Sequence, residues 1–322
     1  MQQTATRPKV VVIGSGLVGS TFGYAMLWSG LTPEIIIIDV NRARAEGEAM
    51  DLSHAMPFHR PINIRAGDYP DCAGASVVAI AAGAAQRPGE TRTQLAQRNA
   101  EVMAQIVPQV VRYAPETILL VATNPVDSMT YAAWRLSGFD ARRVIGAGTI
   151  LDTARFRYLL GTRFDIDPRS VHAYIVGEHG DSEVPLWSSA SIAGMSIQDF
   201  CSTTGYSCTD EDREHIFTDV RDAAYRIISL KGATYYAIAS GMERIVESIL
   251  RDQSTVLSVS GLLQNCQGVS DVCMSLPMII NRRGIDRILC VPMSPEEQER
   301  VRNSASVVRQ VIDSLPIPEP VY

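Results

Sequence analysis

A chain of 322 residues, 46% hydrophobic and 20% charged, holds enough apolar material for one large or two ordinary cores, which excludes a disordered or fibrous protein. A formal net charge of -6 argues against nucleic acid or an anionic membrane as main partner, and no stretch reaches the roughly 18 unbroken apolar residues of a membrane-crossing helix. Six cysteines (Cys72, Cys201, Cys208, Cys266, Cys273, Cys290) show no C-x-x-C pair and no metal-ligand spacing with histidine, so most of them read as apolar fillers of a reduced, cytoplasmic protein without a metal.

The first half alternates apolar runs with helical patterns. Lys9 to Ile13 reads as a buried strand, Gly14 to Gly19 as a glycine-rich turn, and Ser20 to Trp28 as a helix ended by Gly30. Ile35 to Ile38 is a second strand ending at Asp39, and Asn41 caps a helix through about Met50. Ile62 to Ala66 and Val77 to Ala82 follow as strands, Gln94 to Tyr113 as a long helix, and Ile118 to Ala122 as a strand running into Thr123-Asn124-Pro125. This alternation predicts a doubly wound parallel sheet with helices on both faces, a Rossmann α/β domain over residues 1–147. Past Gly148 the rhythm changes. A helix from Asp152 to Gly161, a strand from Val171 to Val176 and long helices at Asp210 to Leu230 and Thr234 to Arg251 are expected. Strands at Val256 to Ser260 and Ile288 to Val291 and a last helix from Pro295 to Ser314 complete a second, mixed α/β domain over residues 148–322, with no flexible linker between the halves.

Gly14-Ser15-Gly16-Leu17-Val18-Gly19 matches G-x-G-x-x-G between a strand and a helix. Glycines there let the backbone turn tightly and approach a pyrophosphate at the positive end of the helix. Asp39, at the end of the next strand, can accept the ribose hydroxyls of NAD and would repel the extra phosphate of NADP.

Two further segments carry chemistry. Asp152 and Arg155 in Ile150-Leu151-Asp152-Thr153-Ala154-Arg155-Phe156-Arg157 are three apart on a helix and face one way. His179 in Gly177-Glu178-His179-Gly180-Asp181-Ser182 is a glycine-flanked histidine just after a strand, which leaves its imidazole accessible. Together with Ala82 to Arg92, Thr123-Asn124-Pro125-Val126-Asp127 and Lys231-Gly232-Ala233-Thr234-Tyr235-Tyr236, these motifs make the chain from about Lys9 to Arg309 resemble the lactate/malate dehydrogenase family.

The resemblance implies an NAD-dependent interconversion of pyruvate and L-lactate. It implies His179 as acid/base, Asp152 as its partner, Arg155 as the clamp on the substrate carboxylate and Arg92, on a closing loop from Gly83, at the ketone oxygen. Substrate contacts are implied at Gln86, Asn124 and Thr234, the last on a helix face, and a cis bond is implied at Asn124-Pro125. Cofactor contacts are implied at Gly14, Gly16, Val18, Gly19, Asp39, Arg44, Tyr69, Gly83, Ala84, Gln105, Ala122, Asn124 and Ala147. Thr93-Gln94 and Ala147 depart from the commonest family pattern, which bears on loop packing and the nicotinamide pocket edge rather than on the catalytic groups.

Gln86 decides the substrate. Family members that act on malate carry an arginine there for the second carboxylate; a neutral Gln86 leaves the extra charge of oxaloacetate unpaired, at a cost of roughly 3–5 kcal/mol. Malate or a longer 2-hydroxy acid remains the alternative. A related NAD-dependent glycosidase and an NAD-sensing protein are further rivals, and neither explains Asp152, Arg155 and His179 together. Arg157, about 200° around the helix from Arg155, and His172 match a family site for fructose 1,6-bisphosphate across a subunit interface, so that effector and a homotetramer, or alternatively a dimer, are implied.

Overall fold

The computed structural model describes residues 8–84 and 89–317, the side chain of Arg92 excepted. The first half runs β1 (Lys9–Ile13), α1 (Leu17–Ser29), β2 (Glu34–Ile38), α2 (Arg42–His54), β3 (Asn63–Ala66), β4 (Val77–Ile80), α3 (Arg92–Tyr113), β5 (Ile118–Val121), α4 (Val126–Ser137) and β6 (Val144–Gly146). Its strands pair in parallel in the order β3-β2-β1-β4-β5-β6. The β-branched runs explain why both faces are covered. Val10 and Val12 of β1 join Ile35 and Ile37 in one core, while Val11 and Ile13 join Ile36 and Ile38 in the other. The strand order reverses between β1 and β4, and the crevice at their carboxyl ends is where an open α/β sheet takes its ligand.

The second half runs α5 (Ile150–Phe164), β7 (Val171–His172), β8 (Ile175–Val176), β9 (Val184–Pro185), β10 (Ser191–Ile192), β11 (Met195–Ser196), α6 (Ile197–Thr204), α7 (Asp210–Lys231), α8 (Tyr236–Leu250), β12 (Thr255–Leu263), β13 (Val272–Asn281), β14 (Gly284–Ile288) and α9 (Pro295–Asp313). The halves share a sheet. β12 pairs antiparallel with β6 through Ser260 and Gly146, and β13 and β14 extend the same sheet antiparallel. A separate cluster of Phe156, Leu160, Phe164, Phe200 and Phe217 packs α5, α6 and α7 together.

Several expectations need correction. The single strand from Val171 to Val176 is two short strands in different sheets: His172 pairs with Ser191, and Ile175 with Pro185. The strand placed at Ile288 to Val291 lies at Gly284–Ile288, because Arg282 and Arg283 form a two-residue hairpin that returns the chain at Gly284. Thr234 is not on a helix: α7 ends at Lys231 and α8 begins at Tyr236. Finally, the reduced state expected of the cysteines does not hold for two of them. Cys266 and Cys290 form a disulfide, while Cys72 and Cys273 are buried free thiols and Cys201 and Cys208 are half-buried. Folding brings the turn after β12 to the segment after β14, a proximity that a separation of 24 residues does not advertise.

Candidate active site

The glycine turn lies against the chain leaving β4. Gly14 has φ of 98°, and a Cβ there would come within 2.4 Å of the Ala82 nitrogen. A Cβ on Gly19 would sit 1.9 Å from the Gly14 oxygen, so both positions exclude a side chain. A Cβ on Gly16 meets nothing within 4 Å, which leaves space in front of the first turn of α1. Asp39 accepts hydrogen bonds from Ser15 N at 2.6 Å, Ser15 Oγ at 2.9 Å and Asn41 N at 2.9 Å. Burial alone would raise its pKa, but these bonds and the nearby Arg44 guanidinium hold it below the ordinary carboxylate range. Asp39 therefore stays ionised at neutral pH beside the glycine turn.

The remaining expected cofactor residues divide. Val18, Ala122, Asn124 and Ala147 line one cavity of about 160 Å³, together with Thr234, Arg155 and His179. Gly83 and Ala84 follow β4 across from the glycine turn. Tyr69 packs half-buried against the core that contains Ile36 and Cys72, and Gln105 is exposed on α3. Neither of these two lines the cavity.

The catalytic candidates converge. Asp152 Oδ1 accepts Arg155 Nη1 at 2.8 Å, and its Oδ2 meets His179 Nδ1 at 2.6 Å. One carboxylate thus orients both partners. Asp152 is 3% exposed in this arrangement, with Arg155 at 14% and His179 at 27%. Burial opposes the charge on Asp152, but His179 and Arg155 outweigh it and hold its pKa below the ordinary value. For His179 burial acts downward, and the charge and hydrogen bond of Asp152, with Asp127 behind it, carry the pKa up to about 9. The imidazole is protonated at neutral pH. A second cavity of about 180 Å³, lined by Asn124, Asp152, Arg155, His179, Glu183 and Arg221 among others, adjoins the first across Asn124, Arg155 and His179. Drug-sized sites run to roughly 300–1,000 Å³, so this space suits a small acid.

Three supporting residues escaped the sequence reading. Asp127, at the start of α4, accepts the backbone N–H of His179 at 2.7 Å and the Ser260 hydroxyl at 2.6 Å. Burial pushes its carboxyl up to about 6, against those two hydrogen bonds. Asn99, 1% exposed on α3, accepts the Ala84 N–H at 2.8 Å and donates to the Asn124 carbonyl at 2.6 Å. Glu183, 3% exposed, lines the second cavity. A polar residue at an otherwise apolar helix position was the available signal for Asn99; for Asp127 and Glu183 only burial reveals the role. The Asn124–Pro125 bond is cis.

The loop between β4 and α3 is anchored at both ends to α3, by Asn99 at Ala84 and by the two-point Arg98–Glu90 pair at 2.8 Å. Gln94 completes a capping box with Thr91, which gives this departure from the family pattern a structural purpose. Gln86 and Arg87 lie outside the described residues, as does the Arg92 side chain; the Arg92 backbone opens α3. Arg157 faces away from Arg155, into a separate cavity of about 520 Å³ that Arg169 and Arg244 also line. Its Nε donates to the Ala173 carbonyl at 2.9 Å, next to the exposed His172.

Comparison with known proteins agrees with this geometry. Residues 8–146 match the family model for the lactate/malate dehydrogenase NAD binding domain, and residues 149–315 match that for the lactate/malate dehydrogenase alpha/beta C-terminal domain. An L-lactate dehydrogenase of Acetivibrio thermocellus is 50% identical over 310 residues, covering 96% of this chain and 98% of the relative. One from Thermus aquaticus is 48% identical over 307 residues, covering 95% and 99%. The crystal structure of a minor L-lactate dehydrogenase from Enterococcus mundtii superposes with a TM-score of 0.94 at 39% identity, over 97% of this chain and 100% of that one. With its glycine turn, its shared carboxylate and most of its length, from residue 8 to 315, spanned by two adjoining matches, the chain belongs to the lactate/malate dehydrogenase family.

Proposed function

We propose that the chain is an NAD-dependent L-lactate dehydrogenase that reduces pyruvate and oxidises L-lactate. The observation that carries this reading is Asp152 holding a protonated His179 and Arg155 at the junction of two small cavities. The residues present fit the dinucleotide. The open space at Gly16 allows its pyrophosphate to approach the N-terminus of α1, and the ionised Asp39 suits a ribose diol once the Ser15 hydroxyl rotates aside. When bound, the nicotinamide supplies or receives the hydride.

The residues of the chain do the rest. Arg155 uses one Nη1 bond on Asp152 and presents its other N–H groups to the substrate carboxylate. With Nδ1 held by Asp152, His179 has Nε2 for the substrate oxygen; it gives a proton there when pyruvate is reduced and takes it back when lactate is oxidised. Asn124 and Thr234 bound the space between, and Arg92, at the start of α3, stabilises the growing charge on the ketone oxygen. Gln86 leaves a second carboxylate unpaired, which favours pyruvate over oxaloacetate. We further propose residues 1–147 as the cofactor domain and 148–322 as the substrate domain, with Arg44, Tyr69, Gly83, Ala84 and Gln105 as outer cofactor contacts. Arg157 and His172 form a fructose 1,6-bisphosphate site in a homotetramer. The four free cysteines among the described residues support a cytoplasmic location, although the Cys266–Cys290 pair does not.

The test is NADH oxidation by the purified protein with pyruvate and with oxaloacetate, and NAD reduction with L-lactate and L-malate. Pyruvate and lactate are expected to be the faster pair. Faster turnover of malate than of lactate would remove the assignment.

A further inference from the structure

Glu183 sits four residues beyond His179, at the end of a turn closed by its own N–H on the Gly180 carbonyl at 3.2 Å, just before β9. Its side chain is 97% buried by its 3% exposure and reaches the wall of the cavity that Asp152, Arg155 and His179 share. Its Oε1 is buried without a hydrogen-bond partner. An ionised carboxylate in that position would leave an acceptor unsatisfied and stand near the charge of Asp152. A neutral carboxyl avoids the charge.

The groups around it are Asp152 and Arg155 from α5, Arg221 and Tyr225 from α7, and His179 and Asp181 from its own loop, with Asp127 and Glu178 behind the histidine. Asp181 is engaged by the Tyr225 hydroxyl at 2.9 Å, and Arg221 by Asp222 at 2.9 Å. We propose that Glu183 is a positioning residue of the substrate cavity: as a neutral acid it leaves the charge of Arg155 to a single substrate anion, and on ionising it takes that place and expels the anion. This rests on Arg155 being the carboxylate clamp. Burial, with Asp152 beside it, pushes the Glu183 carboxyl up to about 9 against the pull of His179, Arg155 and Arg221, so the event falls in the alkaline range.

Lactate oxidation separates this residue from His179, because the two act in opposite directions. A neutral His179 is needed to receive the hydroxyl proton, so kcat/KM for L-lactate rises as the imidazole loses its proton. Ionisation of Glu183 then lowers it, by about tenfold per pH unit once binding is abolished. In Glu183→Gln the rise remains and the fall is replaced by a plateau. An alkaline fall of the same depth and position in Glu183→Gln overturns the proposal. A wild type that oxidises no lactate at any pH fails the substrate assignment instead. Thermal melting then still reads Glu183. A group that stays protonated when folded and ionises when unfolded loses stability as pH rises from about 4.5 to 9, so the melting advantage of Glu183→Gln over the wild type must widen across that range. Parallel melting curves overturn the proposal whatever the substrate. Should Glu183→Gln not fold, Glu183→Ser is read in the same two ways.

Discussion

His179 keeps its proton to about pH 9 because Asp152 shares it, and removing that charge has a defined direction. In Asp152→Asn the imidazole pKa falls toward its ordinary value, so the alkaline limb of pyruvate reduction moves to lower pH. Activity near neutrality drops by about 10²–10⁴ as the positioned acid is lost. The pH dependence of kcat/KM for pyruvate checks both; an unmoved limb sinks the pairing as the cause. At Gln86, substitution by arginine supplies a partner for a second carboxylate, and oxaloacetate activity is expected to rise while pyruvate activity falls. Unchanged preference in a side-by-side assay removes the charge-matching account. The difference between what was and was not legible at this scale is physical. Asp152, Arg155 and His179 declare themselves by helical spacing and flanking glycines, both properties of the written sequence. Asp127 and Glu183 matter because they are buried beside other charges, and a sequence does not show burial.

At the scale of elements, strands with alternating or continuous β-branched residues were readable, as in β1, β2 and β4, and so were helices with clear caps such as α2 and α9. α4 was not, because its buried positions include Asp127, Ser128, Thr130 and Ser137, polar residues that do not read as a core face. β13 escaped because Ser275 and Pro277 interrupt its apolar run, and a proline speaks against a strand paired on both sides. The boundary of α3 illustrates the reverse case, since the Thr91–Gln94 capping box starts the helix at Arg92, two residues before the expected start at Gln94. The loop anchor on this helix is testable. Asn99→Ala orphans the Ala84 N–H and loses the bond to the Asn124 carbonyl, and is expected to cost about 1–3 kcal/mol in a denaturant titration. KM for pyruvate should rise with it. A variant as stable as the wild type, with the same KM, shows that these bonds do not hold the loop base.

At the scale of the molecule, the sheet does not stop at the end of the first half. The β6–β12 pairing carries it into the second, and the Ser260–Asp127–His179 contacts run along the same seam, so the halves are expected to unfold together. Calorimetry checks this: two separated transitions in the isolated protein contradict it. The opposite face of α5 borders a separate cavity, where the effector site is proposed. Arg157 lies in a cavity with two other arginines, and fructose 1,6-bisphosphate is expected to lower KM for pyruvate in the wild type but not in Arg157→Gln. A titration without effect in either protein ends the effector proposal. The sequence made the placement of Arg157 legible, since helical spacing alone turns it away from Arg155; it could not show that Arg169 and Arg244 line the same cavity.

The double engagement of Asp152 has a consequence for how such a protein can diversify. Acid strength and anion grip are tied to the same two oxygens, so neither can drift alone without disturbing its counterpart. Substrate preference is better altered by exchanging residues in the connection between Ala84 and Glu90, whose footings on α3 are independent of that carboxylate. On the roles proposed for His179, Arg155 and Gln86, a frozen reaction centre stands apart from an adjustable selector, and new preferences can be acquired without rebuilding the chemistry.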